Sequence, residues 1–367
     1  MASHYIGLIS GTSMDGIDAV VASFGEAGTE LHATLSHPYS VQLRNDLLHA
    51  VNNPVDCNVD EIGLLDRCVG ECFRDAALAV MQKAGVSAAD IAAIGSHGQT
   101  IRHQPDAAHP FSLQVGDPSI IAQDTGVTTV ADFRRADIAA GGQGAPLTPP
   151  FHRWLFGSAG KSRVILNIGG IANVTILGAG DKPVTGFDTG PGNTLLDRWI
   201  AMHRQEAFDR GGAWAAAGAV IEELLETLLS YDYFDRQPPK STGLEEFNLE
   251  WLEFRDALDF EPRDVQATLC ELTARTVADD IKRYAPETRE LFVCGGGAHN
   301  EELLRRLASN LPETIVETTA VAGLDPDWVE AAAFAWLAMR RMKNQPGNLP
   351  SVTGASRKVI LGAIHSP

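Results

Sequence analysis

Cysteine is scarce here and badly placed for chemistry. The 367 residues hold five (Cys57, Cys68, Cys72, Cys270, Cys294), an odd, scattered set with no CxxC pair and no histidines at zinc spacing. They read as reduced thiols of a cytosolic protein. Cys68 and Cys72 share a helix face, but without a further ligand nearby, apolar packing explains them better than a metal. Positive charge is also short, with 29 Lys and Arg against 47 Asp and Glu and a formal net charge of −18. A general nucleic-acid partner is thereby excluded, because no basic field exists to neutralise phosphates. Long apolar runs are missing too: none approaches the roughly 18 residues of a membrane span, and the first residues show no basic stretch leading into an apolar one. The expectation is a soluble, cytoplasmic protein with no membrane partner.

What the chain does have is apolar content of 44%, 35 glycines, and a length beyond that at which one core usually keeps growing. Two domains are expected. The stretch "YIGLISGTSMDGIDAVVASF", residues 5–24, sets two apolar strands around a polar, glycine-flanked tip, which reads as a hairpin. A Walker loop would instead need GxxxxGK[ST] before a helix. Downstream, Asp60 is expected to cap an amphipathic helix with Ile62, Leu65, Val69, Phe73, Ala76 and Val80 on one face, closed by Lys83 and Gly85. A strand at 91–95 runs into "SHGQT", and a helix bearing Trp154 and Phe156 follows the small-residue stretch after Val130. A second hairpin, "RVILNIGGIANVTIL" at 163–177, repeats the first in shape though not in residues, which suggests internal structural duplication. Residues 231–264, rich in aromatics, proline and charge, read as an irregular insertion whose apolar side chains need burial.

Three glycine clusters carry the chemistry. The tip Gly11-Thr12-Ser13-Met14-Asp15-Gly16 has the hydroxyls and backbone N–H groups to wrap phosphate oxygens, and Asp15 could hold Mg²⁺ through water; an exposed Asp-Gly turn is the plain alternative. In "FDTGPGN", 187–193, Asp188 ends an apolar strand ahead of a helix expected near Thr194, as a reactive carboxylate or as a cap. "LFVCGGGAHNEELLRRL", 291–307, runs a strand through Gly295, Gly296 and Gly297 toward a helix whose N-terminus could face a nucleotide. It misses GxGxxG where Asn300 stands, so a dinucleotide fold is the weaker reading. Two strand-turn-strand units, an Asp between them and a late glycine turn match the scheme shared by actin, sugar kinases and Hsp70.

The segments "GLISGTSMDGIDA", "GSHGQTIRH", "ADFRRADIAAGGQGAPL", "NIGGIANVT", "FDTGPGN" and "VCGGGAHN" resemble, in order and over essentially the whole chain, the anhydro-N-acetylmuramic acid kinases. The resemblance implies an α/β fold of two duplicated actin-like ATPase (ribonuclease H-like) domains flanking a nucleotide and sugar cleft. The domains are expected at 1–130, with a possible return segment at 350–367, and at 131–349. It also implies hydrolytic opening of 1,6-anhydro-N-acetylmuramic acid with transfer of the ATP γ-phosphoryl to O6. The products would be N-acetylmuramic acid 6-phosphate and ADP, in peptidoglycan recycling by a homodimer.

On that reading Asp188 is the base for the water attacking C1, and Glu330 is a second carboxylate near that water or simply a first-turn Glu favoured by the helix dipole. Arg134 would meet the lactyl carboxylate or the leaving oxygen, unless it is tied to Asp137 or Asp132. His97, Gln99 and Thr100 would line the sugar site, with His97 as a proton carrier or as a core histidine satisfied by backbone. ATP and Mg²⁺ would be held by residues 11–16 with Ile17 and Asp18, by Gly169 and Gly170, by Gly190, Gly192 and Asn193, and by Gly295–Gly297 with Asn300. The rival readings are a kinase for another amino sugar or carboxylate, a glycosidase using Asp188 and Glu330, and a nucleotide-dependent binder that turns nothing over.

Overall fold

The computed structural model describes residues 4–26, 28–158, 160–180, 182–244 and 246–367. The chain divides into two compact units, one running to Leu155 and resuming at Trp328–Pro367, the other Phe156–Asp327. In the first unit, β1 (His4–Ile9) and β2 (Gly16–Gly25) form the expected hairpin, and β3 (Gly28–Pro38) extends it antiparallel. β4 (Ile91–Ser96) lies parallel to β1; β5 (Gln99–Gln104) and β6 (Phe111–Val115) make a separate ribbon; β7 (Thr129–Ala131) lies parallel to β4. A C-terminal strand, Ala363–His365, closes the sheet's edge beside β7.

The second unit repeats this plan. β8 (Arg163–Ile168), β9 (Ile171–Leu177) and β10 (Thr185–Pro191) run antiparallel in succession, and β11 (Glu290–Cys294) and β12 (Ile315–Thr318) continue parallel from β8. The sheet orders, β3-β2-β1-β4-β7 and β10-β9-β8-β11-β12, are the same order of third, second, first, fourth and fifth strand. That shared topology is the duplication expected from the two hairpins, and it is the ribonuclease H-like unit of actin-like ATPases. Among the described residues no helix is long and apolar enough to cross a membrane.

Each sheet is covered by helices that bury its apolar face. On the first, the helix Val59–Ala84 buries Leu65, Val69, Phe73, Ala76 and Val80, at about 1.5–3 kcal/mol for each large side chain. Its cap is Asn58, not Asp60: Asn58 and Glu61 form a reciprocal capping box that satisfies two backbone donors, and Asp60 lies inside the first turn. In the second unit, residues 231–264 fold into short helical turns that seal the core with Tyr233, Phe247, Trp251 and Leu252.

The unit boundaries differ from those expected at 130 and 350. Residues 132–155 stay with the first unit, because Phe151 and Trp154 stack on each other and pack at a tilt against Trp336, and Trp154 meets Phe24 edge-on at 5.8 Å. The return begins at 328 because the helix Val329–Met342 packs on β1, β2 and β4. Two strand glycines permit that approach: a Cβ on Gly7 would lie 1.8 Å from the Ala331 carbonyl oxygen, and one on Gly95 would lie 2.1 Å from that of Phe334. Gly7→Ala is therefore expected to cost about 2–3 kcal/mol in urea unfolding. Gly63→Ala, in the exposed interior of the helix Val59–Ala84 with open space around it, is expected to stabilise by up to about 1 kcal/mol. Equal midpoints for the two variants would contradict this account of the packing.

Candidate active site

In the first unit the loop between β1 and β2 is a polar tip on an apolar anchor. Gly11, Thr12, Ser13 and Asp15 are exposed, whereas Met14 is 3% exposed and turns inward in the left-handed region (φ 53), its amide donating to the Gly11 carbonyl at 3.2 Å. The thioether thus pins the loop to the core while the hydroxyls of Thr12 and Ser13 face outward. Gly16 allows β3 to lie close, since a Cβ there would meet the His37 carbonyl oxygen at 2.4 Å. Ile17 is buried in the core, and Asp18 accepts from Ser36 Oγ at 2.6 Å. Asp15 pairs with Arg44 at 3.1 Å, and the same guanidinium donates to the Ser13 carbonyl. Gln99 supports the tip from beneath: it accepts from Ser10 Oγ at 2.6 Å and its amide donates to the carbonyls of Gly11 and Thr100. Thr100 Oγ1 accepts from Gln114.

A second group in this unit gathers Arg134, His97 and Glu330. Arg134 donates to the Gly144 carbonyl and to His97 Nε2, each at 2.8 Å, and Nε of Arg134 has no hydrogen-bond partner among the described residues. It is tied to neither Asp132 nor Asp137: Asp132 pairs with Arg135 at 3.6 Å, and Asp137 takes up Gly144 N, Asn348 and Thr353. Because Nε2 accepts, the proton of the neutral ring sits on Nδ1. Burial, then the Arg134 charge, holds His97 well below its ordinary pKa, so it is no cation near neutrality. Its ring is a core histidine packed on Phe334 at 4.7 Å, with Arg134 at Nε2 and the backbone of Gly98 and Ser10 beside it. Burial lowers Arg134 to about 10, opposed by Glu330, which leaves it charged at neutral pH. Glu330, in the first turn of the helix Val329–Met342, is raised by burial and then by Asp18, with Arg134 opposing.

In the second unit three glycine clusters meet at one end of the sheet. Residues 192–194 clasp the β8–β9 turn through Gly192 N and Thr194 N to the Gly170 carbonyl and Asn193 N to that of Gly169, at 2.8–3.1 Å. Only glycine fits at 192, where a Cβ would meet the Gly169 carbonyl oxygen at 2.4 Å. Asn193 Nδ2 donates to the Ile168 carbonyl and lies near Gly296, while Gly295 and Gly297 pack on the end of β8. The helix Glu301–Asn310 does not start at the glycines: a short turn, Gly296–His299, intervenes, and Asn300 caps the helix through Leu303 N at 3.0 Å.

Asp188 lies within β10 rather than at its end, and it caps no helix. The register skips a residue between Asp188 and Gly190. Thr189 folds inward, donating to the Ala172 carbonyl, and Gly190 takes φ 147. Such a bulge re-aims the neighbouring side chain. The segment following Pro238-Pro239 then lies against it: Asp188 N donates to the Lys240 carbonyl and Thr242 N to Asp188 Oδ2, both at 3.1 Å, and Tyr233 Oη donates to the Asp188 carbonyl at 2.8 Å. Burial raises the Asp188 carboxyl to about 6, with Thr242 N and Lys240 opposing. Tyr233, Lys240 and Thr242 escaped the sequence reading. The one signal for them was a lysine between Pro-Pro and Ser-Thr-Gly in a stretch that has to be buried.

A duplicated ribonuclease H-like unit with a polar hairpin tip in one copy and clasped glycine turns in the other is the build of the actin-like ATPase and sugar-kinase class. The chain matches the model of the anhydro-N-acetylmuramic acid kinases over residues 3–367. It is 51% identical over 368 residues to the anhydro-N-acetylmuramic acid kinase of Shewanella loihica, covering 99% of each chain. It is 50% identical over 364 residues to that of Coxiella burnetii (strain Dugway 5J108-111), covering 99% of this chain and 97% of the relative. The chain belongs to the anhydro-N-acetylmuramic acid kinase family.

The raised carboxyl of Asp188 has a stability consequence. The folded protein holds that proton more tightly than an unfolded chain with a carboxyl near 3.8, so ionising Asp188 costs stability. The cost is absent below the unfolded value and complete above about 6. Asp188→Asn is therefore expected to be more stable than the parent by about 1–2 kcal/mol near neutral pH, with the gain fading as pH falls toward about 4. Denaturant melts across that range check it. A gain independent of pH would contradict the assignment.

Proposed function

We propose that the protein opens 1,6-anhydro-N-acetylmuramic acid with water and phosphorylates O6 from ATP, giving N-acetylmuramic acid 6-phosphate and ADP. The observation that carries the reading is Asp188, a carboxylate re-aimed by a bulge, raised to about 6 and fixed by backbone hydrogen bonds. A base of that strength is largely ionised at neutral pH yet binds a proton far better than an ordinary aspartate. The water oxygen bonds to C1 as C1–O6 breaks, and the water proton passes to Asp188. The O6 electron pair attacks the γ-phosphorus, and the bond to the β-phosphate oxygen breaks to release ADP. Positioning matters most for such a transfer.

In the first unit, the Thr12 and Ser13 hydroxyls and the tip's amides are the proposed phosphate ligands, and Arg134 the group that meets the sugar's carboxylate or leaving oxygen. Glu330 is the proposed second carboxylate beside the water. In the second unit Gly169, Gly170, Gly192 and Gly295–Gly297 are the proposed nucleotide turns. Among the described residues no three His, Cys, Asp or Glu side chains cluster as a metal site. The exposed Asp15 fits Mg²⁺ held mainly by nucleotide phosphates and water, a cation that neutralises phosphate charge in the transfer. A cytoplasmic homodimer completes the reading.

The test is ADP release coupled to product mass, with Mg-ATP and the anhydro sugar. The parent is expected to add one water and one phosphoryl group per ADP, and Asp188→Asn to lose at least 100-fold in kcat, on the order of a general base's contribution and more. Sugar opened without ATP would favour the glycosidase reading. Sugar untouched while ATP binds would overturn the substrate assignment.

A further inference from the structure

Lys240 is 7% exposed, and its ammonium lies 2.9 Å from Asp280 Oδ2 on the helix Pro262–Tyr284, with both side chains almost fully buried. Its other neighbours are ring faces: the nitrogen stands 5.7 Å from the centroid of Phe187 and 5.2 Å from that of Tyr233. A buried ion pair is a costly way to stabilise a fold, since apolar side chains of similar volume usually do as well. Its place in the chain suggests a different use. Lys240 is the residue whose carbonyl accepts from Asp188 N, Phe187 adjoins Asp188, and Tyr233 donates to the Asp188 carbonyl.

We propose that the Lys240–Asp280 pair is a positioning element for Asp188, its ammonium keeping the carboxylate ionised and its carboxylate preventing that ammonium from abolishing Asp188's basicity. The inference rests on the reading of Asp188 as the base. The ammonium favours the ionised form of Asp188, after the Thr242 amide, and the Asp280 carboxylate 2.9 Å away offsets part of that charge. The other charged groups on the elements around the site pair with one another. Glu246 accepts from Thr242 Oγ1 and Tyr231 Oη, and Arg236 lies 3.9 Å from Glu246. Arg283 pairs with Asp235 at 3.9 Å, and Asp279, beside Asp280, pairs with Lys282 and Arg275. Coulombic effects reach Asp188 from Lys240, and Asp280 from Lys240, Arg283 and Asp279.

The test is the pH profile of kcat/KM with Mg-ATP and the anhydro sugar. Lys240→Met is expected to move the acid limb to higher pH and Asp280→Asn to lower pH, each by on the order of one unit, or about tenfold in rate well below the limb. Lys240→Arg, which keeps the charge, is expected to leave the limb near its parental position. A purely structural pair would lower activity in every variant without moving the limb, or would move both limbs the same way, and either outcome overturns the inference. Should Lys240→Met fail to fold, the direction of the Asp280→Asn limb alone decides. Asp188→Asn separates the two levels: turnover retained in that variant sinks the base assignment and this inference with it, whereas an inactive Asp188→Asn beside unshifted limbs sinks only the role of Lys240 and Asp280.

Discussion

The amide of Thr242 donates to a carboxylate that burial drives toward neutrality, and much of the second unit serves to keep those two groups together. Asp188 reaches Thr242 because β10 carries an extra residue, Thr189, which turns inward and leaves Asp188 aimed at the segment after Pro238-Pro239. That segment stays in place because Tyr233, Phe247 and Trp251 anchor the chain around it in the core. On a regular strand successive side chains face core and solvent in turn, so a carboxylate there would be either fully desolvated or fully hydrated. The bulge and the aromatic insertion are the two devices that place it between these limits.

The two units share a topology and differ at their tips. In the first, a buried methionine anchors an exposed loop of hydroxyls and amides, with Gln99 supporting it from below. In the second, the corresponding turn is two glycines clasped by the backbone of residues 192–194 and packed beside Gly296 and Gly297. The same sheet order thus presents one polar, side-chain-bearing tip and one bare backbone tip. In the second tip the amides of Gly169 and Gly192 are taken up by the carbonyls of Ile171 and Gly170.

The hairpins, the duplication, the long amphipathic helix and the glycine clusters were legible in the sequence because each rests on local pattern: alternating apolar runs, glycine at a tight turn, period 3.6. The unit boundaries were not, since they depend on the helix Val329–Met342 packing on β1 and β4, which only the bare Cα atoms of Gly7 and Gly95 permit. Asn58 rather than Asp60 caps its helix because reciprocal bonding with Glu61 outweighs a lone side chain. The position of Asp188 within β10 was hidden because a bulge has no sequence period. The alternative reading of Arg134, an ion pair with Asp132 or Asp137, fails for a similar reason. Its contacts, His97 and Gly144, are 37 and 10 residues away, while the acidic residues beside it in sequence pair elsewhere.

The central claim is that water attacks the sugar's anomeric carbon while the sugar's own O6 attacks phosphorus. Turnover in ¹⁸O-labelled water, quenched early and read by mass fragmentation, tests it most directly. The expected product carries the label on C1 and none in the phosphate ester. Label in the phosphoryl group, or a phosphorylated product whose anhydro bridge is intact, would contradict it.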